Sequence, residues 1–152
     1  MSVSILAIGK TKQDYLIQGI DEFQKRLSRY TAVKLIELPD IKTKKSTEEE
    51  LKFKEAELLL RNIKPNDILI ALDERGKMLS SKAFSEFLEK QMRRDLVFCI
   101  GGVHGLDKSI LTRADFVLSF SRFTFTHQMI RLLLFEQIYR ALNILQGGQY
   151  HK

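Results

Sequence analysis

The sequence predicts an α/β fold, a three-layer sandwich around a mostly parallel sheet, in a single domain over residues 1–152. Short apolar runs alternate with segments of helical period along the whole chain, the pattern of repeated βαβ units. The runs ending at Leu72 and at Ile100 are apolar almost without a break, as expected of strands covered on both faces. No internal repeat, low-complexity tract or linker interrupts the alternation.

Taken in order, Val3–Ile8 has the length and character of a strand and is closed by Gly9. Residues 14–29 carry Leu16, Ile17, Ile20, Phe23 and Leu27 at helical spacing. Val33–Leu38 is a second strand, stopped by Pro39-Asp40. Lys42, Lys44 and Lys45 with Glu48, Glu49 and Glu50 form a charge-rich loop leading into a helix through Leu60. Their charges nearly balance, which reads as a solvated face, with the three lysines a candidate mobile basic arm. Residues 67–72 form a third, central strand ending in the polar turn Asp73-Glu74-Arg75-Gly76-Lys77. Ser80 or Ser81 caps a helix running to Met92. Leu96–Ile100 is the fourth strand, Asp107 caps a short helix over Lys108–Arg113, and residues 116–120 are the fifth strand. Residues 127–146 form the last helix, about 30 Å long.

Lys and Arg outnumber Asp and Glu 25 to 19, giving a net charge of +6 and a pI near 9.5. That balance favours a polyanionic partner without demanding one. The first residues lack a basic n-region, and Arg131, Glu136 and Arg140 interrupt the most apolar stretch, which argues against a signal peptide or a membrane span. Cys99, the only cysteine, sits inside an apolar strand and reads as a buried core thiol. His104 and His127 have no partner at metal-ligand spacing, so no metal site is expected. A cytoplasmic location fits these features.

Open α/β sheets bind ligands beyond the carboxyl ends of their strands, so two adjacent strand-to-helix turns become candidate walls of one pocket. Gly101-Gly102-Val103-His104-Gly105 can let backbone amides approach a nucleotide-like ligand, or be only a tight turn. It matches neither the dinucleotide fingerprint nor the P-loop pattern. Ser119-Phe120-Ser121-Arg122-Phe123-Thr124-Phe125-Thr126 combines aromatics, hydroxyls and a guanidinium. Its rings can wall a pocket for a flat base or plug the core, and Arg122 can meet a phosphate or carboxylate.

The last helix is apolar nearly all round, more than one sheet face requires, so its excess predicts burial against a second subunit in a C2 dimer. Glu136 and Arg140, four residues apart and followed by Asn143, draw a polar line on this rod. Gly147-Gly148 ends the helix. Tyr150-His151-Lys152 is either a frayed end or an arm offering a stacking ring, a titrating group and a cation to an RNA base.

Several of these segments resemble the ribosomal large-subunit RNA methyltransferase H family of the SPOUT class. They are Ile100-Gly101-Gly102-x-x-Gly105-Leu106, Leu118-Ser119-Phe120-Ser121, Thr124-Phe125-x-His127-Gln128, Glu136-Gln137-x-Tyr139-Arg140-Ala141 and Tyr150-His151-Lys152. Ile5-Leu6-Ala7-Ile8-Gly9-Lys10, Glu37-Leu38-Pro39-Asp40 and the Leu72…Gly76-Lys77 segment extend the resemblance over essentially the whole chain. It implies a C-terminal trefoil knot, S-adenosylmethionine (SAM) as cofactor, and a homodimer formed through the last helix. It further implies methylation at N3 of a pseudouridine in helix 69 of 23S rRNA, within an assembled ribosome. Carried onto this sequence, the cofactor would lie against Leu72, Gly101 and the segment Phe120, Ser121, Arg122, Phe123, Thr124 and Phe125, with Gly102 and Gly105 shaping the turn. Tyr150, His151, Arg140 and Glu136 would serve target recognition and catalysis, with His151 the candidate base. Thr126 departs from the family, in which many members have Pro before the histidine. The other reading is a non-catalytic nucleotide- or RNA-binding module of the same fold.

Overall fold

The computed structural model describes residues 1–42 and 44–152, and these form five strands alternating with five helices. In order they are β1 (Val3–Ile8), α1 (Asp14–Leu27), β2 (Val33–Leu38), α2 (Glu48–Leu60), β3 (Ile68–Met78), α3 (Ser81–Gln91), β4 (Leu96–Ile100), α4 (Lys108–Arg113), β5 (Phe116–Ser119) and α5 (Met129–Leu145). The strands form one sheet in the order β2-β1-β4-β3-β5. Every pairing between them is parallel, so the mostly parallel sheet expected is parallel throughout.

Alternate residues of each strand feed opposite faces. Ile5, Ala7, Ile70, Phe98 and Ile100 pack with Ile20, Phe84, Leu88, Leu134 and Phe135 beneath α1, α3 and α5. Leu6, Ile8, Leu69, Val97 and Cys99 pack with Ala56, Leu59 and Ile110 beneath α2 and α4. All five residues of β4 are buried, which accounts for its unbroken apolar run. Among the described residues no helix is long and apolar enough to cross a membrane.

Three expectations change in detail. Glu48, Glu49 and Glu50 belong to the first turn of α2 rather than to a loop. Thr47 caps that helix by accepting from the Glu50 amide at 3.2 Å, and the three carboxylates face the positive end of its dipole. Second, β3 does not end in a turn at Asp73. It continues to Met78, and its register against β5 slips between Leu72 and Lys77, both of which pair with Leu118. The intervening residues are accommodated as a bulge, where a Cβ on Gly76 would stand 2.7 Å from the Val117 carbonyl carbon. Third, the ends of several elements shift: α1 stops at Leu27, β5 at Ser119, and α5 spans Met129–Leu145.

α5 lies between α1 and α3 on the sheet, and none of its large apolar side chains is fully exposed. Met129, Ile130, Leu132, Leu133, Tyr139, Ile144 and Leu145 are only half-buried, so apolar surface remains along the helix.

Candidate functional site

The carboxyl ends of β3, β4 and β5 open into a cavity of about 910 Å³. That volume lies in the range of ligand and cofactor sites. Leu72, Gly101, Gly102, Gly105, Phe120, Ser121, Phe123, Thr124 and Phe125 all line it, so the two candidate turns are brought together. Arg122 is not among the lining residues and is exposed to solvent. Lining residues not anticipated from the sequence include Gln13 just before α1, Tyr15 and Leu16 on α1, and Lys52 on α2.

The glycine turn folds on itself. Gly102 and Gly105 form an isolated antiparallel bridge, with the Gly105 amide donating to the Gly102 carbonyl at 3.1 Å. Gly105 has φ of 85°, in the left-handed region. A Cβ on Gly101 would lie 2.5 Å from the Gly105 carbonyl carbon. Backbone therefore occupies the space a side chain would need.

Hydroxyls organise the second turn. Ser119 Oγ donates to the Ser121 carbonyl at 3.1 Å, and the Phe123 amide donates to Ser121 Oγ at 3.0 Å. Phe120 packs partly into the core beneath α5, whereas Phe123 is 81% exposed at the rim. Core plug and pocket wall are thus divided between rings of one loop. Thr126 lines the cavity and its Oγ1 accepts from the Met129 amide at 3.0 Å, capping the start of α5. The hydroxyl supplies there a restraint on the loop.

Behind the cavity, Arg131 is fully buried. It donates to the carbonyls of Ile8 at 2.7 Å, Gly9 at 2.8 Å and His127 at 3.0 Å, and pairs with Glu37 at 3.3 Å. Gln128 adds two bonds to the β1–α1 loop, to the Lys10 carbonyl at 3.0 Å and from the Lys12 amide at 2.9 Å. His127 lines the cavity, and its pKa is held below the ordinary histidine value, chiefly by burial and then by the charge of Arg131. In sequence Arg131 stands out only as a charge within an apolar helix, which is the one signal that could have drawn attention to it.

The tail is docked rather than frayed. The Tyr150 amide donates to Asn143 Oδ1 at 3.0 Å, and Asn143 Nδ2 donates to Tyr30 Oη at the same distance. Tyr150 Oη donates to Glu136 Oε1 at 3.1 Å, while Arg140 donates to that oxygen at 2.7 Å and 3.1 Å. The Arg140 guanidinium lies over the Tyr150 ring at 4.6 Å and reaches His151 Nδ1 at 3.3 Å. Burial first, then Glu136, pushes the Tyr150 phenol above its ordinary pKa. All four residues expected to serve target recognition therefore form one cluster. None of them lines the cavity of its own chain. Glu136 has its acceptor capacity engaged by Arg140, Tyr150 and Gln137, an arrangement that organises the tail.

A family model described as predicted SPOUT methyltransferase matches residues 1–151. The chain belongs to the SPOUT methyltransferase family. Solved structures share the SPOUT fold at low sequence identity. The tRNA (m1G37) methyltransferase from Aquifex aeolicus superposes with a TM-score of 0.59 at 13% identity, over 100% of this chain and 75% of that one. A "probable methylase family protein" from Haemophilus influenzae Rd KW20 gives 0.57 at 14% identity, over 99% and 70%. Ribosomal RNA small subunit methyltransferase E from Neisseria gonorrhoeae, bound to S-adenosyl methionine, gives 0.51 at 9% identity, over 95% and 66%.

Proposed function

We propose that this protein is a SAM-dependent RNA methyltransferase acting on N3 of a pseudouridine in helix 69 of 23S rRNA, within the assembled ribosome. The observation that carries the reading is a cavity at the carboxyl ends of β3, β4 and β5, walled by the glycine turn and the Phe-rich loop, in a chain whose cationic tail is docked and ordered. The cavity suits SAM in volume, and Leu72, Phe120 and Phe125 offer apolar walls for an adenine. SAM supplies an already activated methyl group. The protein must place the ring nitrogen in line with that group and manage the proton that leaves it.

The tail cluster is suited to the second task. Arg140 only donates, so in the observed contact His151 Nδ1 accepts, and a neutral ring then carries its proton on Nε2. In this arrangement Arg140 and His151 both present donors to negative charge developing on the base. His151 takes up the N3 proton through Nδ1 once that nitrogen leaves Arg140. Glu136 positions Arg140 and Tyr150, and the Tyr150 ring offers a surface on which a base can stack.

Because the cluster lies outside its own chain's cavity, this reading includes a homodimer in which the tail of one protomer serves its partner's cavity. Tyr15, Val103 and Phe123, which are 60%, 78% and 81% exposed at the rim, supply apolar surface for that contact or for the RNA. The knotted crossing implied by the family resemblance belongs to the same reading.

The test is removal of Tyr150, His151 and Lys152. SAM affinity by calorimetry should stay close to that of the full chain, and methylation of large-subunit rRNA should be abolished. Full activity without these residues would refute the tail's role, and no SAM binding by the folded full-length protein would favour the non-catalytic RNA-binding module. Mass spectrometry of rRNA from cells lacking the protein would identify the methylated position.

A further inference from the structure

Beneath the glycine turn lies a carboxylate that the proposed reaction does not use. Glu55, on α2, is only 7% exposed and does not line the cavity. A Cβ built on Gly102 would stand 2.8 Å from its Oε1 and 3.0 Å from its Oε2, so the carboxylate rests against the Gly102 backbone. The same helix reaches the turn a second time, where Glu48 pairs with His104 Nδ1 at 3.5 Å. Three groups face the Glu55 carboxylate. Asp40, from the segment before α2, repels its charge, His104 attracts it, and the Gly102 amide favours it. Burial outweighs the favourable contacts and raises the pKa above the ordinary carboxyl value. A charge in such a place costs stability, and proteins retain that kind of cost where a site needs its geometry fixed.

We propose that Glu55 is a positioning residue of the cofactor turn: its carboxylate, set against Gly102 from α2, fixes the shape of the Gly101-to-Gly105 loop that lines the cavity. It acts through the turn and contacts no cofactor. The proposal rests on the reading of this cavity as the SAM site.

The proposal separates from a purely structural role by the sign of two effects. A raised carboxyl pKa in the fold means that this group's stabilisation is complete below the ordinary carboxyl value and is lost as pH rises through the raised value. At pH 7.5, Glu55→Gln should therefore melt at or above the wild-type temperature. A positioning role requires the same variant to loosen the turn. Amide hydrogen exchange in residues 102–106, measured without any ligand, should be on the order of tenfold faster, and SAM should bind on the order of tenfold more weakly.

A second pair of variants probes the contact itself. Gly102→Ala pushes a methyl group into the Glu55 carboxylate and should weaken SAM binding in the wild-type background. In the Glu55→Ala background the obstacle is gone and the penalty should shrink. Unchanged exchange in folded Glu55→Gln, or an equal penalty for Gly102→Ala in both backgrounds, would overturn the proposal. Wild-type protein that binds no SAM would overturn the cofactor reading, while the exchange experiment still decides whether Glu55 holds the turn.

Discussion

Arg131 donates from Nη1 to the carbonyl of Gly9 at 2.8 Å, and this fully buried bond fastens α5 to the end of β1. The same guanidinium holds the Ile8 carbonyl and Glu37. Burial lowers its pKa, against the opposing pull of Glu37 and Asp40. Arg131→Met keeps the apolar stem but leaves two buried carbonyls without their donor. It should cost about 3 kcal/mol of unfolding free energy, read from urea denaturation. Glu37→Gln should cost less, because Glu37 is partly solvated.

Two glycines of the turn should fail for different reasons. Gly101→Ala forces a methyl group to 2.5 Å from backbone, so the turn must move, and SAM binding should be lost in a protein that still folds. A Cβ on Gly105 meets nothing within 4 Å, but its φ of 85° strains any L side chain. Gly105→Ala should cost about 1–2 kcal/mol and weaken SAM binding only moderately. Calorimetric titration of both variants separates the two cases.

His127 predicts an acid-sensitive step. Its pKa is depressed in the fold, so the stability it contributes is complete above the ordinary histidine value of 6.5 and is lost as pH falls through the depressed value. Melting temperatures followed downward from pH 7 should show this loss, and His127→Gln should flatten that part of the curve. An unchanged curve in the variant would remove His127 from the account.

The tail can be loosened without shortening it. Glu136→Ala frees Arg140 and Tyr150 together, whereas Tyr150→Phe removes one bond to Glu136 and leaves the ring beside Tyr139. Methylation should fall by a factor of a hundred or more in the first variant and on the order of tenfold in the second, each hydrogen bond to a charged group being worth about 1.5–3 kcal/mol. SAM affinity should be unchanged in both.

Cys99 is fully buried, and its thiol is pushed up to about 12 by burial. It should resist thiol reagents in native protein at pH 8 and react once the protein is unfolded.

Most strand limits were legible because their signals are local: Gly9 and Pro39-Asp40 follow apolar runs, and the ends observed at Ile8, Leu38 and Ile100 agree. The extension of β3 was not legible, because Lys77 and Met78 are held by Leu118 and Ser119, which are remote in sequence. Arg131 was missed as a structural centre for a related reason. Its partners Ile8 and Gly9 accept through backbone carbonyls, which leave no pattern in side chains. Glu55 carried no signal in the sequence, because the Gly102 backbone beside its carboxylate is remote in the chain. Arg122 was drawn into the candidate pocket by its aromatic neighbours, yet it is exposed and outside the lining. The separation of the tail cluster from the cavity depends on how far α5 carries the chain away, and spacing alone does not convey that.

The bonds from Arg131 to the end of β1 also bear on how the protein is made. β1 is synthesised early, but it pairs with β4 and receives its buried guanidinium from α5. A nascent chain emerging from the ribosome therefore lacks the anchor between β1 and α5 until translation has passed Arg131. Products of premature termination before that point should be proteolytically fragile and unable to bind SAM.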